Sequence, residues 1–156
     1  ATETIEEMES VAMAWRAEHA EEAQGRALVG VDYLQLVRSR SSFKTEEALV
    51  NHISRSGKLL AKRLKVPLLM LAHINREGTK SADAPKLSDL RGSGQIENDA
   101  DVVIFVWRQP ETGFNSLPAE GSGKMIVAKQ RGGDTGFRWF TYTGKFMLIS
   151  DKRLEA

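Results

Sequence analysis

The 156-residue chain contains no cysteine, which removes disulfides, thiolate metal sites and cysteine nucleophiles together and fits a reducing compartment. It also lacks any run of about 18 uninterrupted apolar residues, the length a membrane-spanning helix needs. Its first residues, ATETIEEMES, are acidic and polar, where a secretory leader would be charged and then greasy. A soluble, cytoplasmic protein is expected, with no membrane partner. Net charge is nearly absent as well: 22 Lys and Arg stand against 21 Asp and Glu, for a formal charge of +1. No global field therefore attracts a polyanion, and any such partner must be met locally, by the basic stretches Arg38–Lys65 and Lys124–Arg138. No internal repeat, heptad pattern or low-complexity tract is present. What remains is a chain with 41% hydrophobic content, enough for a real core, and a single domain over 1–156 is the expectation.

The stretch Ala27–Leu36, ALVGVDYLQL, organises the rest. A short apolar run bounded by Gly suggests a strand buried on both faces, as in a parallel sheet flanked by helices, and such sheets bind ligands at the carboxyl ends of their strands. Asp32 emerges at that end. On this run alone it reads either as a cation ligand, Mg2+ being held by hard oxygens and water, or more commonly as the first residue of a polar loop.

An N-terminal helix is expected from about Thr2 to Ala20, because Ile5, Met8, Ala12, Trp15 and His19 recur at three- and four-residue steps and Thr4 with Glu7 resembles a capping box. A second helix, Thr45–Lys65, places Leu49, Ile53, Leu60 and Leu64 on one side, with its basic residues on a solvated face. Val66–Leu71 reads as a second buried strand, followed at once by the polar set from His73 to Arg76, which repeats the arrangement at Asp32. In Leu87–Asp101 (LSDLRGSGQIENDAD), Arg91 and the backbone N–H groups of Gly92-Ser93-Gly94 offer a phosphate cradle, although a Gly-Ser-Gly turn is usually only a turn. Asp101–Trp107 is a third core strand, Gln109–Gly123 a long loop, Lys124–Ala128 a fourth strand, and Phe137–Thr143 with Phe146–Ser150 a hairpin about Gly144.

Taken together, VDYLQL at Val31–Leu36, LAHINRE at Leu71–Glu77, SDLRGSGQIENDADVVIFVWR at Ser88–Arg108 and KQRGGDTG at Lys129–Gly136 resemble the C-terminal motor domain of DnaB-type replicative helicases. The order and spacing match over nearly the whole chain. The resemblance implies an α/β fold of the RecA-like P-loop NTPase type: a mostly parallel sheet flanked by helices, with a C-terminal β-hairpin. It implies an ATP-dependent DNA helicase working as a homo-oligomeric, hexameric ring on single-stranded DNA, with a helicase loader and primase as further partners.

By the same resemblance, Asp32 is similar to the Walker B aspartate that holds Mg2+ on ATP, with Gln35 beside it in the cofactor site. His73 stands where these helicases usually carry a Gln that senses the γ-phosphate, a departure, because an imidazole changes charge near neutral pH and an amide does not. Arg91, Gly92, Ser93 and Gly94 resemble the DNA-binding loop, with Gly92 where many relatives have Glu. Lys129 and Arg131 resemble the pair presented to a neighbouring subunit's nucleotide, Arg131 as the arginine finger.

The family's P-loop, G-x-x-x-x-G-K-[ST], does not occur in this sequence. Gly121-Ser122-Gly123-Lys124 is superficially similar but follows the Walker B strand and leads into a strand, so it is rejected as a P-loop. The P-loop strand of such sheets lies between those corresponding to Val66–Leu71 and Asp101–Trp107. Without it an opening is expected there, to be closed by sliding of neighbours, by another chain or by dimerisation. The chain alone is expected to lack ATPase activity. The alternative reading is a non-catalytic module that binds DNA or assists helicase assembly.

Overall fold

The structure, a computed structural model, describes residues 4–21, 27–75, 83–90, 93–108 and 120–151. They form two compact units, one comprising Ala1–Asn75 with Leu90–Ala100 and the other Arg76–Asp89 with Asp101–Ala156.

The first unit begins with α1, Ile5–Glu18, whose start is set by Thr4: its hydroxyl accepts the Glu7 N–H at 3.3 Å. Ile5 is buried, but the expected apolar stripe does not continue to Trp15, which is 42% exposed and stacks on the His19 ring at 4.9 Å. The indole thus covers its own helix end instead of entering the core. Helix α2, Glu46–Leu64, is capped by Thr45, which accepts the Ala48 N–H at 3.1 Å, and it ends at Lys65 in the left-handed region with φ 54°. Its buried face is Val50, Ile53, Ser54, Gly57, Leu60 and Leu64. Leu60, Leu64 and Val66 form a core cluster against which Ala12, Ala27, Val29 and Leu68 pack. At Gly57 a Cβ would lie 3.1 Å from Met70 Sδ, so the absent side chain lets α2 approach the strand that carries Met70.

That strand is β2, Leu68–Met70, and it pairs in parallel with β1, Val29–Val31, in the register Val29↔Leu68 to Val31↔Met70. Both are shorter than the expected Ala27–Val31 and Val66–Leu71. Pro67, which has no N–H to give a ladder, precedes β2, and its carbonyl accepts the Val29 N–H at 3.0 Å. After α2 and β2, a seven-residue helix, α3, runs from Ser93 to Asp99.

The second unit is an antiparallel sheet in the order β3-β4-β5-β6, with β3 Val102–Arg108, β4 Glu120–Gln130, β5 Gly136–Thr143 and β6 Leu148–Asp151. The expected C-terminal hairpin is its β5–β6 half, turning through Gly144–Phe146. The expected loop Gln109–Gly123 gives up its end to β4, which runs straight through Gly121-Ser122-Gly123-Lys124. Gly123 is required there: a Cβ would come within 2.2 Å of Phe140 Cζ and 2.8 Å of the Trp107 carbonyl oxygen. Its place is sheet packing, consistent with rejecting it as a P-loop. Next to it, the Lys124 ammonium lies 4.5 Å from the Trp139 ring centroid, 4.9 Å from Phe137 and 5.7 Å from Trp107, joining three strands through cation–π contacts.

Expected as a third core strand, β3 is covered on one face: Val103 and Phe105 are buried, whereas Val102, Ile104 and Val106 are 49%, 50% and 63% exposed. Among the described residues the parallel ladder is that of β1 and β2, accompanied by one isolated parallel bridge between Thr4 and Arg38, and the strands expected to flank the missing P-loop strand, β2 and β3, belong to different sheets, each at an edge of its own. Among the described residues no helix is long and apolar enough to cross a membrane.

Candidate functional site

The register Val31↔Met70 sets the carboxyl ends of β1 and β2 side by side. The segments beyond them stay joined, since Leu71 N–H donates to Val31 O at 2.9 Å and Leu34 N–H to Leu71 O at 2.8 Å. Asp32 is the first residue after β1, and His73 is the third after β2. The structure therefore brings these two sequence candidates to the same end of the parallel pair, where α/β sheets place ligands.

Asp32 is exposed, and no hydrogen bond or ion pair engages its carboxylate among the described residues. No group of three or more His, Asp or Glu side chains capable of holding a metal occurs among those residues. The donor set thus suits a cation that takes one carboxylate and completes its shell with water and phosphate oxygens, as Mg2+ does, and does not suit a closed protein cage.

Gln35, expected in the cofactor site beside Asp32, pairs with the main chain of His73. Its Oε1 accepts the His73 N–H at 3.1 Å, and its Nε2 donates to the His73 carbonyl at 3.3 Å. The Tyr33 ring stacks on the His73 imidazole at 4.1 Å with 22° between planes. Tyr33 was not singled out in the sequence, where it reads simply as a residue of a strand-like run.

Of the proposed DNA-binding residues, Arg91 and Gly92 lie outside the described residues. Ser93 opens α3, and Gly94 sits in its first turn with open space where a Cβ would be. What holds α3 is a residue that sequence reasoning missed. Asp99, buried at its end, accepts from Ser54 Oγ at 3.1 Å and Gln95 Nε2 at 2.8 Å on Oδ2, and from Arg55 at 3.2 Å on Oδ1. Two of the three donors on this buried carboxylate, Ser54 and Arg55, tie α3 to the middle of α2, and the third, Gln95, closes the last turn of α3 itself. A carboxylate four residues after Gln95 was the available sequence signal, but its other partners lie more than forty positions away.

Lys129 and Arg131 belong to the second unit. Lys129 is opposite Val103 near the end of β4, and Arg131 begins the turn that follows. The Arg131 N–H donates to Asp101 O at 2.8 Å, and its guanidinium lies 3.6 Å from the Asp101 carboxylate with both side chains more than half exposed. The backbone bond fixes the base of the turn, and the loose ion pair leaves the guanidinium at the surface.

A profile of the DnaB-like helicase C terminal domain matches residues 2–151. The replicative DNA helicase DnaB of Leifsonia xyli subsp. xyli is 40% identical over 128 residues, which is 81% of this chain and 28% of that protein. That of Mycobacterium leprae is 44% identical over 109 residues, 69% of this chain and 18% of that protein. The chain thus spans less than a third of the length of these relatives. Among solved structures, an ATPase domain matches with a TM-score of 0.78 at 25% identity, covering 97% of this chain and 52% of that one. A DnaB-like replicative helicase described with its interactions with primase gives 0.76 at 24% identity, covering 97% and 36%.

Proposed function

Because the chain belongs to the DnaB-like helicase C-terminal domain family, we propose that it is part of an ATP-driven motor that moves along single-stranded DNA and separates duplex strands. The observation that carries this reading is the meeting of an unengaged Asp32 carboxylate with His73 at the carboxyl end of β1 and β2. Asp32 would hold Mg2+ together with phosphate oxygens, and His73 would donate to the terminal phosphate. When bound, Mg-ATP supplies the phosphoryl group whose hydrolysis drives movement. Arg131, with Lys129, would reach a neighbouring copy's nucleotide, so that charge developing there is met only when a homo-oligomeric ring has formed. Residues 91–94 would touch the backbone of one DNA strand, where phosphate contacts without base-edge readout give sequence-independent attachment.

In this reading the two units are parts of one domain over 1–156 that a further strand completes. Two features support it: among the described residues β2 and β3 each have an edge with no strand paired to it, and aliphatic side chains at Leu69, Leu71, Val102, Ile104 and Val106 are exposed. The chain also covers only 52% of the solved ATPase domain it resembles. Primase is a proposed partner on the strength of the similar helicase described with it.

Phosphate release with single-stranded DNA tests the proposal. The chain alone should release none, and a chimaera in which it replaces the matching 128 residues of the Leifsonia xyli protein should hydrolyse ATP in a DNA-stimulated manner. Turnover by the isolated chain, or an inactive chimaera that still assembles, would refute it.

A further inference from the structure

His73 is exposed and lies three residues beyond the end of β2, yet it does not sit in a free loop. Its main chain is held at both its N–H and its carbonyl by the two ends of one side-chain amide, that of Gln35, at 3.1 and 3.3 Å. Its ring lies against Tyr33 at 4.1 Å. An amide is the side chain suited to this, because it offers a donor and an acceptor in one plane and so imitates the strand that would otherwise pair with His73. Both groups come from the segment that begins at Asp32, and that segment is tied to the same neighbour through Leu34 N–H to Leu71 O at 2.8 Å.

We propose that Gln35 and Tyr33 are positioning residues for His73: they clamp its backbone and ring to the segment after Asp32, so that a displacement at the carboxylate is carried to the imidazole. The proposal rests on the reading of Asp32 and His73 as the two nucleotide-facing groups. It also assigns the Gln35 amide to orienting His73 and not to the nucleotide, each end of that amide having a partner on the His73 main chain.

Amide exchange and ring-proton shifts of the full chain test the clamp without any nucleotide. Gln35→Ala should speed exchange of the His73 amide about tenfold while leaving the Leu71 amide unchanged. Gln35→Glu, which keeps an acceptor for that N–H, should restore much of the protection. Tyr33→Leu should move the His73 ring protons downfield as the neighbouring ring current is lost. Unchanged His73 exchange in Gln35→Ala, or an equal loss at Leu71, would overturn the clamp. In the chimaera, Gln35→Ala should lower kcat about tenfold with KM for Mg-ATP within about twofold, because a positioning residue touches neither metal nor phosphate. A KM rise matching the kcat loss would make Gln35 a ligand and overturn the assignment. If the unmutated chimaera hydrolyses nothing, the motor reading fails while the exchange measurements still decide the clamp.

Discussion

Replacing Asp99 by Ala should destabilise the first unit more than any other single polar truncation. The hydroxyl of Ser54, itself buried, loses its acceptor, and an unsatisfied buried donor costs about 1–3 kcal/mol. Gln95 is only half-buried and regains water, so its lost bond costs about 0.5 kcal/mol. The Arg55 side chain is 62% exposed, which limits its ion pair to no more than about 0.5 kcal/mol after solvent screening. The sum, about 1.5–4 kcal/mol, corresponds to a fall in melting temperature on the order of 10 °C. Asp99→Asn keeps an oxygen for Ser54 and Gln95 but turns an amide toward Arg55, and should cost less than half as much. Thermal denaturation followed by circular dichroism checks both. A Tm for Asp99→Ala within about 1 °C of the parent would refute the claim that this carboxylate anchors α3.

Other perturbations separate packing from chemistry. Gly123→Ala places a methyl against Phe140 and the Trp107 carbonyl and should cost about 1–3 kcal/mol or more, read from the urea midpoint of tryptophan emission; an unchanged midpoint would contradict the close packing. Arg131→Ala truncates a side chain that is more than half exposed, so its Tm should stay close to the parent, but ATP hydrolysis by the chimaera should fall about a thousandfold; equal hydrolysis would remove it as the finger. The Ser39 hydroxyl at 2.6 Å, helped by the Arg40 N–H at 3.1 Å, holds the Glu6 carboxyl below the usual carboxylate range despite its burial. With the folded value depressed, this link is complete above the ordinary Glu range and is lost as pH falls through the lower folded value. The Arg40 amide shift should therefore titrate with a midpoint below that of an unperturbed Glu in a reference peptide, and Glu6→Gln should abolish the transition; a midpoint at or above the reference would contradict the bond.

Helices α1 and α2 were readable because their signals are local, whereas α3 was not expected in the stretch Leu87–Asp101, whose Gly-Ser-Gly reads as a turn. Thr4 and Thr45 each cap the N–H three residues on, and the three-four spacing on α2 matches its buried face at Ile53, Leu60 and Leu64. The ends of β1 and β2 were readable as well, since apolar runs that stop at Asp32 and before His73 mark where strands give way to polar chemistry. The apolar run of β3 marked a core strand but not which of its faces is covered, because that depends on residues distant in sequence. Asp99 and the pairing of Gln35 with His73 escaped for the same reason. Each is a contact across 38 to 45 positions between residues whose local context is ordinary. Fold class and the place of Asp32 were thus accessible from pattern and resemblance, while the groups that orient the site became visible only through the packing that brings distant segments together.

The cluster around Lys124 has an optical consequence. Trp107 and Trp139 flank one ammonium group in the second unit, whereas Trp15 is the first unit's tryptophan. A cation held against an indole shifts its excited-state energy, so the emission of this pair differs from that of a solvent-facing indole stacked on His19. Each unit therefore carries its own indole, and replacing Trp15 by Phe leaves a chain whose tryptophan emission reports on the antiparallel sheet alone.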